Sequence, residues 1–170
     1  LLCPGEPKPK TCVYFEQETL NKIYEANKSH SYKGILFNLT THKGIVLNIP
    51  HPNGQIPYGL NIEPSDKMEI FFNEPMKSVD LLIASGAPLI NISYYTRTLN
   101  RKRKNDRNPL PVVQFKLIKT ISYDPRKLKR EISFNHRSKN IDYITIESVS
   151  CYQKEKQQRD QTKIWLKAEN

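Results

Sequence analysis

Met68-Glu-Ile-Phe-Phe-Asn-Glu-Pro-Met-Lys-Ser-Val-Asp-Leu-Leu-Ile83 decides the fold class. It holds two short apolar runs: Met68 to Phe72, stopped by Asn73-Glu74-Pro75, and Ser78 to Ile83, stopped by Ser85-Gly86. Runs of this length between Pro, Gly, Asn and Asp are the pattern of strands joined by turns. Outward from this stretch the pattern repeats. Cys12 to Phe15, Tyr32 to Phe37 and Gly44 to Ile49 precede it, the last ended by Pro50 and Pro52. Leu89 to Thr96, Val112 to Tyr123, Arg130 to Asn135 and Ile141 to Cys151 follow it. In the last run Ile141, Tyr143, Thr145, Glu147 and Val149 share one face by parity, and Ile144, Ile146 and Ser148 the other. Apolar residues on both faces suit a strand packed on two sides or bent through a bulge.

Helical spacing is scarce. Leu20, Ile23 and Tyr24 stand at i, i+3 and i+4 behind Thr19 as a cap, which predicts one short N-terminal helix over 16–27. The fold class expected is therefore all-β, with two antiparallel sheets packed face to face and that one helix. Residues 1–11 read as an N-terminal extension, 12–152 as the sandwich and 153–170 as a polar C-terminal tail with a sticky spot at Ile164, Trp165 and Leu166. His51 to Asp66, with Pro-Asn-Gly, Ile-Pro-Tyr-Gly and Glu-Pro-Ser, reads as a long structured loop. At 170 residues and 19.8 kDa, the chain has room for one compact domain. No apolar run reaches the ~18 residues that a membrane-crossing helix needs.

The formal charge of +10 is concentrated. Residues 97–139 carry 14 Lys/Arg against 3 Asp/Glu, while the rest of the chain is close to neutral. A local excess of this kind attracts polyanions: nucleic acid, sulfated glycan or anionic head groups. Arg97, Arg101, Lys102, Arg103, Lys104 and Arg107 form its sharpest part, with Lys127, Lys129 and Arg130 as a second group. The plain alternative is a solvated basic loop with no dedicated ligand. A second candidate is the loop around Tyr58, where Pro50, Pro52 and Pro57 restrict the backbone and Asn53 and Gln55 add amide donors and acceptors. The competing reading is a stiff connector with Tyr58 packed inward. His30, His42, His51 and His136 sit in no metal-ligand or nucleophile-activating pattern, and no Gly-x-Ser-x-Gly elbow or phosphate-cradling glycine loop occurs. No catalytic residue, metal or cofactor is expected.

Leu1-Leu2-Cys3-Pro4, with no methionine, reads as the stub left after removal of a longer leader. Asn27, Asn38 and Asn91 each open an Asn-x-Ser/Thr acceptor for N-glycosylation, and with the leader they point to a secreted or extracellular glycoprotein. Cys3, Cys12 and Cys151 allow one disulfide. Cys12 and Cys151 open the first strand-like run and close the last, so they pair if those strands are neighbours; Cys3 with Cys12 is the competing pair, and three reduced thiols the third arrangement.

The order of these pieces resembles the galactose-binding-domain-like jelly rolls, which include discoidin-type and carbohydrate-binding modules. The residues that carry the resemblance are Phe15-Glu16, Tyr32 to Phe37, the two runs about Asn73-Glu74-Pro75, Tyr94-Tyr95-Thr96, and the closing pair Arg130 to Asn135 with Ile141 to Val149. It implies a jelly-roll sandwich over about Cys12 to Tyr152 that binds ligands in its end loops, often beside a structural calcium. The sequence has no Asp/Asn loop for that calcium, and the segment after Tyr95 is far more basic than is usual there. The function expected is a secreted, non-enzymatic module recognising carbohydrate or a cell-surface glycoprotein. The alternatives are a polyanion binder acting through 97–107, or a structural adaptor subunit of a larger assembly.

Overall fold

The computed structural model describes residues 10–13, 20–48, 58–62, 66–85, 89–100, 112–125, 131–136, 140–149 and 162–169. These hold thirteen strands and no helix: β1 (Lys10–Val13), β2 (Ile23–Tyr24), β3 (His30–Tyr32), β4 (Ile35–Leu39), β5 (Gly44–Asn48), β6 (Tyr58–Ile62), β7 (Lys67–Met76), β8 (Ser78–Ser85), β9 (Leu89–Asn100), β10 (Val112–Tyr123), β11 (Glu131–Asn135), β12 (Ile141–Val149) and β13 (Thr162–Glu169). All pairings are antiparallel. One sheet has the order β11-β8-β13-β6-β5-β2, with β1 also on β13, and the other the order β10-β9-β12-β7-β4-β3.

The two orders correspond strand for strand. Each of β2/β3, β5/β4, β6/β7, β13/β12, β8/β9 and β11/β10 takes the same place in its own sheet. The chain is thus laid out as six arms side by side, each spanning both sheets. The strand ends flanking these six sheet changes lie at one end of the sandwich: Leu39 pairs with Met68, Ile90 with Ser148 and Tyr123 with Ile90 in one sheet, and Tyr24 with Gly44 and Thr162 with both Ile62 and Ser85 in the other. Lateral bonds tie this end together. The Asn27 amide donates to the Leu39 carbonyl (2.8 Å), Thr40 to Lys67 (3.1 Å) and Ser148 to Asp66 (3.2 Å).

Asp66 anchors that end. It is fully buried, and its carboxylate accepts from the Thr40 hydroxyl (2.8 Å) and from the amides of Thr41 (3.0 Å), His42 (3.0 Å) and Lys67 (2.8 Å). A carboxylate with this many donors is a structural knot that satisfies backbone groups in the bend from β4 to β5. Gly44, just past the bend, lies close against leucines of both sheets, and a larger residue there makes them shift. A Cβ there would lie 2.8 Å from Leu39 Cδ1 in one sheet and 2.9 Å from Leu60 Cδ1 in the other.

A single apolar core fills the space between the sheets. The alternation read from the sequence supplies it: Met68, Ile70 and Phe72 of β7 point inward, opposite Leu60 and Ile62 of β6 and Leu81 and Ile83 of β8. Tyr94 of β9 stacks on Phe134 of β11 with centroids 4.2 Å apart, and Tyr24 of β2 meets Phe37 of β4 edge-on at 4.9 Å. Both contacts cross from sheet to sheet. Burying a large apolar side chain contributes roughly 1.5–3 kcal/mol, so these interlocked pairs hold the layers together.

The all-β reading therefore stands, with antiparallel sheets. The expected helix over 16–27 does not form where the structure describes it. Leu20 and Asn21 form a turn, Ile23–Tyr24 pair with Gly44–Ile45 of β5, and Asn21 and Asn27 have φ of 65° and 57°. Left-handed φ at two sites in twelve residues excludes a helix. The sheet bonds, and Tyr24 packed against Phe37, outweighed a three-residue apolar spacing. Two strands also lie where none was expected. β6 lies in the stretch read as a long loop, and β13 lies in the stretch read as a polar tail, yet it bridges β8 and β6. β1 pairs with β13, Cys12 standing opposite Lys167, whereas β12 belongs to the other sheet. Cys3 and Cys151 lie outside the described residues, so the cysteine pairing has no geometry to report.

Candidate functional site

The charge excess of 97–139 is carried in part by the longest pair of strands. β9 and β10 are twelve residues each and run paired from Ile90 opposite Tyr123 to Asn100 opposite Val112. Neither strand contains an Asp or Glu. β12 pairs with β9 only up to Tyr143 opposite Tyr95, so beyond Thr96 the β9–β10 ribbon runs past its neighbour. The register of β12 on β7 shifts at this point: Ile141 stands opposite Met76 and Tyr143 opposite Phe71, so the extra residues, 72–75, are in β7. Asp142 lies at the shift, and its carboxylate accepts from the Arg97 amide at 2.7 Å and from the Thr96 hydroxyl at 3.4 Å. Asp142 is thus a clamp on the root of the ribbon, and the irregularity lies in β7, not in β12, where one of the two readings of its parity put a bulge.

The outer face of this sheet is not simply polar. Leu36, Phe71, Tyr143, Tyr95 and Leu117 stand in one row across β4, β7, β12, β9 and β10. Phe71 stacks on Tyr143 at 4.5 Å and 18°, and Tyr95 packs against Tyr143 at 5.0 Å. Phe115 reaches over from β10 to lie 5.0 Å from Tyr143 and 5.9 Å from Phe71. Burial, then the Glu69 charge and its hydrogen bond, push the Tyr143 phenol above its usual range. Next to the rings, Leu99 (63% exposed), Leu117 (50%), Val113 (41%) and Phe115 (39%) face solvent.

Charge is graded along this face. Arg97 is exposed and stands opposite Phe115 on the ribbon, while Glu69 and Glu147 lie on the other side of the aromatic row. The rings stand against one another at strand spacing, so they present a ridge rather than separate open faces. That geometry offers apolar edges next to cations. It does not offer the spaced platforms on which successive nucleobases stack.

Of the residues expected to bind ligand, Arg97 is on this surface. Arg101, Lys102, Arg103, Lys104 and Arg107 lie in sequence between β9 and β10, and Lys127, Lys129 and Arg130 between β10 and β11, outside the described residues. The first group precedes β10 and the second follows it; a twelve-residue strand is roughly 40 Å long. Asn53 and Gln55 are also outside the described residues, and Tyr58 opens β6 opposite Asn48. The sequons differ in accessibility. Asn27 is exposed in the turn between β2 and β3, whereas Asn38 and Asn91 are half-buried within β4 and β9. The Asn91 amide oxygen accepts from the Ser122 hydroxyl at 2.7 Å.

The aromatic cluster was missed by sequence reading, because its four rings come from four strands and meet only once the register is known. The available signal was parity: Phe71, Tyr95 and Tyr143 each sit out of step with a buried residue beside them. Among the described residues, no group of three or more His, Cys, Asp or Glu is placed to hold a metal ion, and no helix is long and apolar enough to cross a membrane. No protein-family model matches the chain, and no curated protein matches it in sequence.

Proposed function

We propose that this chain is a non-enzymatic binding module that takes a carbohydrate chain of the sulfated, heparin-like class along the β9–β10 ribbon. One observation carries the reading: the ribbon bordering the most basic stretch of the chain has no carboxylate of its own, and its root adjoins an outward cluster of Phe71, Tyr95, Phe115 and Tyr143. Sulfates pair with Arg97 and the cations that follow it, and the apolar C–H groups of a sugar ring pack on the exposed carbons of Val113, Phe115 and Leu117. Nucleic acid fits less well, because the rings are already stacked on each other. We read the six side-by-side arms as a jelly roll of the galactose-binding-like type. We also read the protein as secreted, in keeping with its exposed sequon at Asn27.

Heparin-affinity chromatography tests this. The wild-type chain is expected to be retained and to elute only as salt screens the contacts. A variant with Arg97→Glu, Arg101→Glu and Arg103→Glu is expected to pass through early, and heparin fragments are expected to compete where single-stranded nucleic acid of equal charge does not. Equal elution of wild type and variant, or displacement by nucleic acid alone, overturns the reading.

A further inference from the structure

Among the described residues five strands pair on one side only, β1 of 4 residues among them, and they are unequal. β2 has 2 residues, β3 has 3 and β11 has 5, while β10 has 12. Short edges offer little backbone to an incoming chain; a long one is a template for pairing. β10 pairs with β9 and ends the sheet order on its other side. Its residues 113–117 are all exposed, and those up to Phe115 stand opposite the part of β9 that runs past β12.

We infer that the 112–117 half of β10 is a docking edge for an extended, acidic strand of a partner protein, which adds to the six-stranded sheet by backbone pairing. Charge selects the occupant. Lys116 and Lys119 are exposed on this strand, and β9 and β10 contain no Asp or Glu. A strand alternating carboxylates with apolar residues sets its charges beside these lysines and its apolar residues beside Val113, Phe115 and Leu117. A second copy of β10 fits worse. It too carries exposed Lys116 and Lys119 and has no Asp or Glu to set against them, and like charges brought together destabilise a ladder. The register shift between Leu117 and Lys119 ends the regular edge there, so the docking length is confined to the projecting half. This edge shares the ribbon and Phe115 with the glycan reading, but it rests on backbone pairing and the lysines of β10, whereas that reading rests on Arg97 and the cations after it, so either can fail alone.

The test uses the full chain and a capped synthetic peptide of alternating glutamate and valine, with a lysine–valine peptide as its counterpart. Fluorescence anisotropy is expected to report binding of the glutamate peptide only. Hydrogen exchange is expected to slow at amides of 112–117 when it binds. Lys116→Glu with Lys119→Glu is expected to weaken that binding by about tenfold or more and to admit the lysine peptide instead. Absence of binding overturns the inference, as does binding without new protection in 112–117. Self-association through β10, seen as concentration-dependent protection of the same amides without peptide, overturns it in favour of a second copy.

Discussion

Replacing Asp66 separates the sheets at their tied end, and the cost follows from its four donors. Asp66→Ala removes the acceptor of the Thr40 hydroxyl and of the Thr41, His42 and Lys67 amides. Thr41 and His42 are exposed, so their amides regain water; Thr40 and Lys67 are half-buried and lose more. At about 1.5–3 kcal/mol for each of the two hydrogen bonds not replaced by water, the loss is about 3–6 kcal/mol, and the Thr40 hydroxyl's second acceptor, the Lys67 carbonyl at 3.3 Å, holds it to about 3–4 kcal/mol. Asp66→Asn is milder. Its carbonyl can keep the three donors that Oδ1 accepts, and only the His42 amide then faces an NH₂ group, at a cost of about 1.5 kcal/mol. For a chain of this size each kcal/mol lowers Tm by about 3 °C, so alanine is expected to cost about 10 °C and asparagine about half of that. Thermal melts followed by far-ultraviolet circular dichroism measure both. An alanine variant within 1 kcal/mol of wild type, or one equal to asparagine, refutes the idea that a charged acceptor holds the bend.

Two further outcomes follow from burial. Tyr24, Tyr94, Tyr123 and Tyr143 all have phenols raised above the ordinary value of 10.0, burial being the largest cause. Below that value the folded and unfolded forms are both protonated and the stabilisation is whole; above it the unfolded chain loses protons that the folded one keeps, so stability falls with rising pH. Absorbance at 295 nm is expected to show these four tyrosines resisting ionisation until the chain unfolds, and a single titration of all nine tyrosines near pH 10 contradicts this. When the protein is made in a glycosylating secretory host, the glycan is expected at exposed Asn27 and absent from half-buried Asn38 and Asn91. Intact-mass measurement of Asn27→Gln checks it, a persisting glycan increment being the contrary result.

The strands were legible where alternation was long enough to be seen, as at Met68 to Phe72, Ser78 to Ile83 and Val112 to Tyr123. β13 was not, because its role comes from neighbours on both sides rather than from its own composition. β2 is two residues long and depends on β5 for its existence. Leu20, Ile23 and Tyr24 happened to match helical spacing, and that local signal lost to a contact twenty residues away. Of the candidate site, the charge was legible and the ridge was not: parity turned Tyr143 outward, but only the pairing of four strands brought it beside Phe71, Tyr95 and Phe115.

β13 has a consequence for how the molecule is made. β6 and β8 do not pair with each other; they meet only through β13, on which β1 also depends. During synthesis the six-stranded sheet can therefore assemble from residues 30–149 while its companion stays in two halves with an open slot. Closure waits for residues 162–169 to leave the ribosome, and it joins segments far apart in sequence, which is slow. Until that moment the slot exposes two unpaired strand edges. A nascent chain halted before 162 is thus a natural client for a chaperone, and a free peptide of 162–169 is the piece that would complete it.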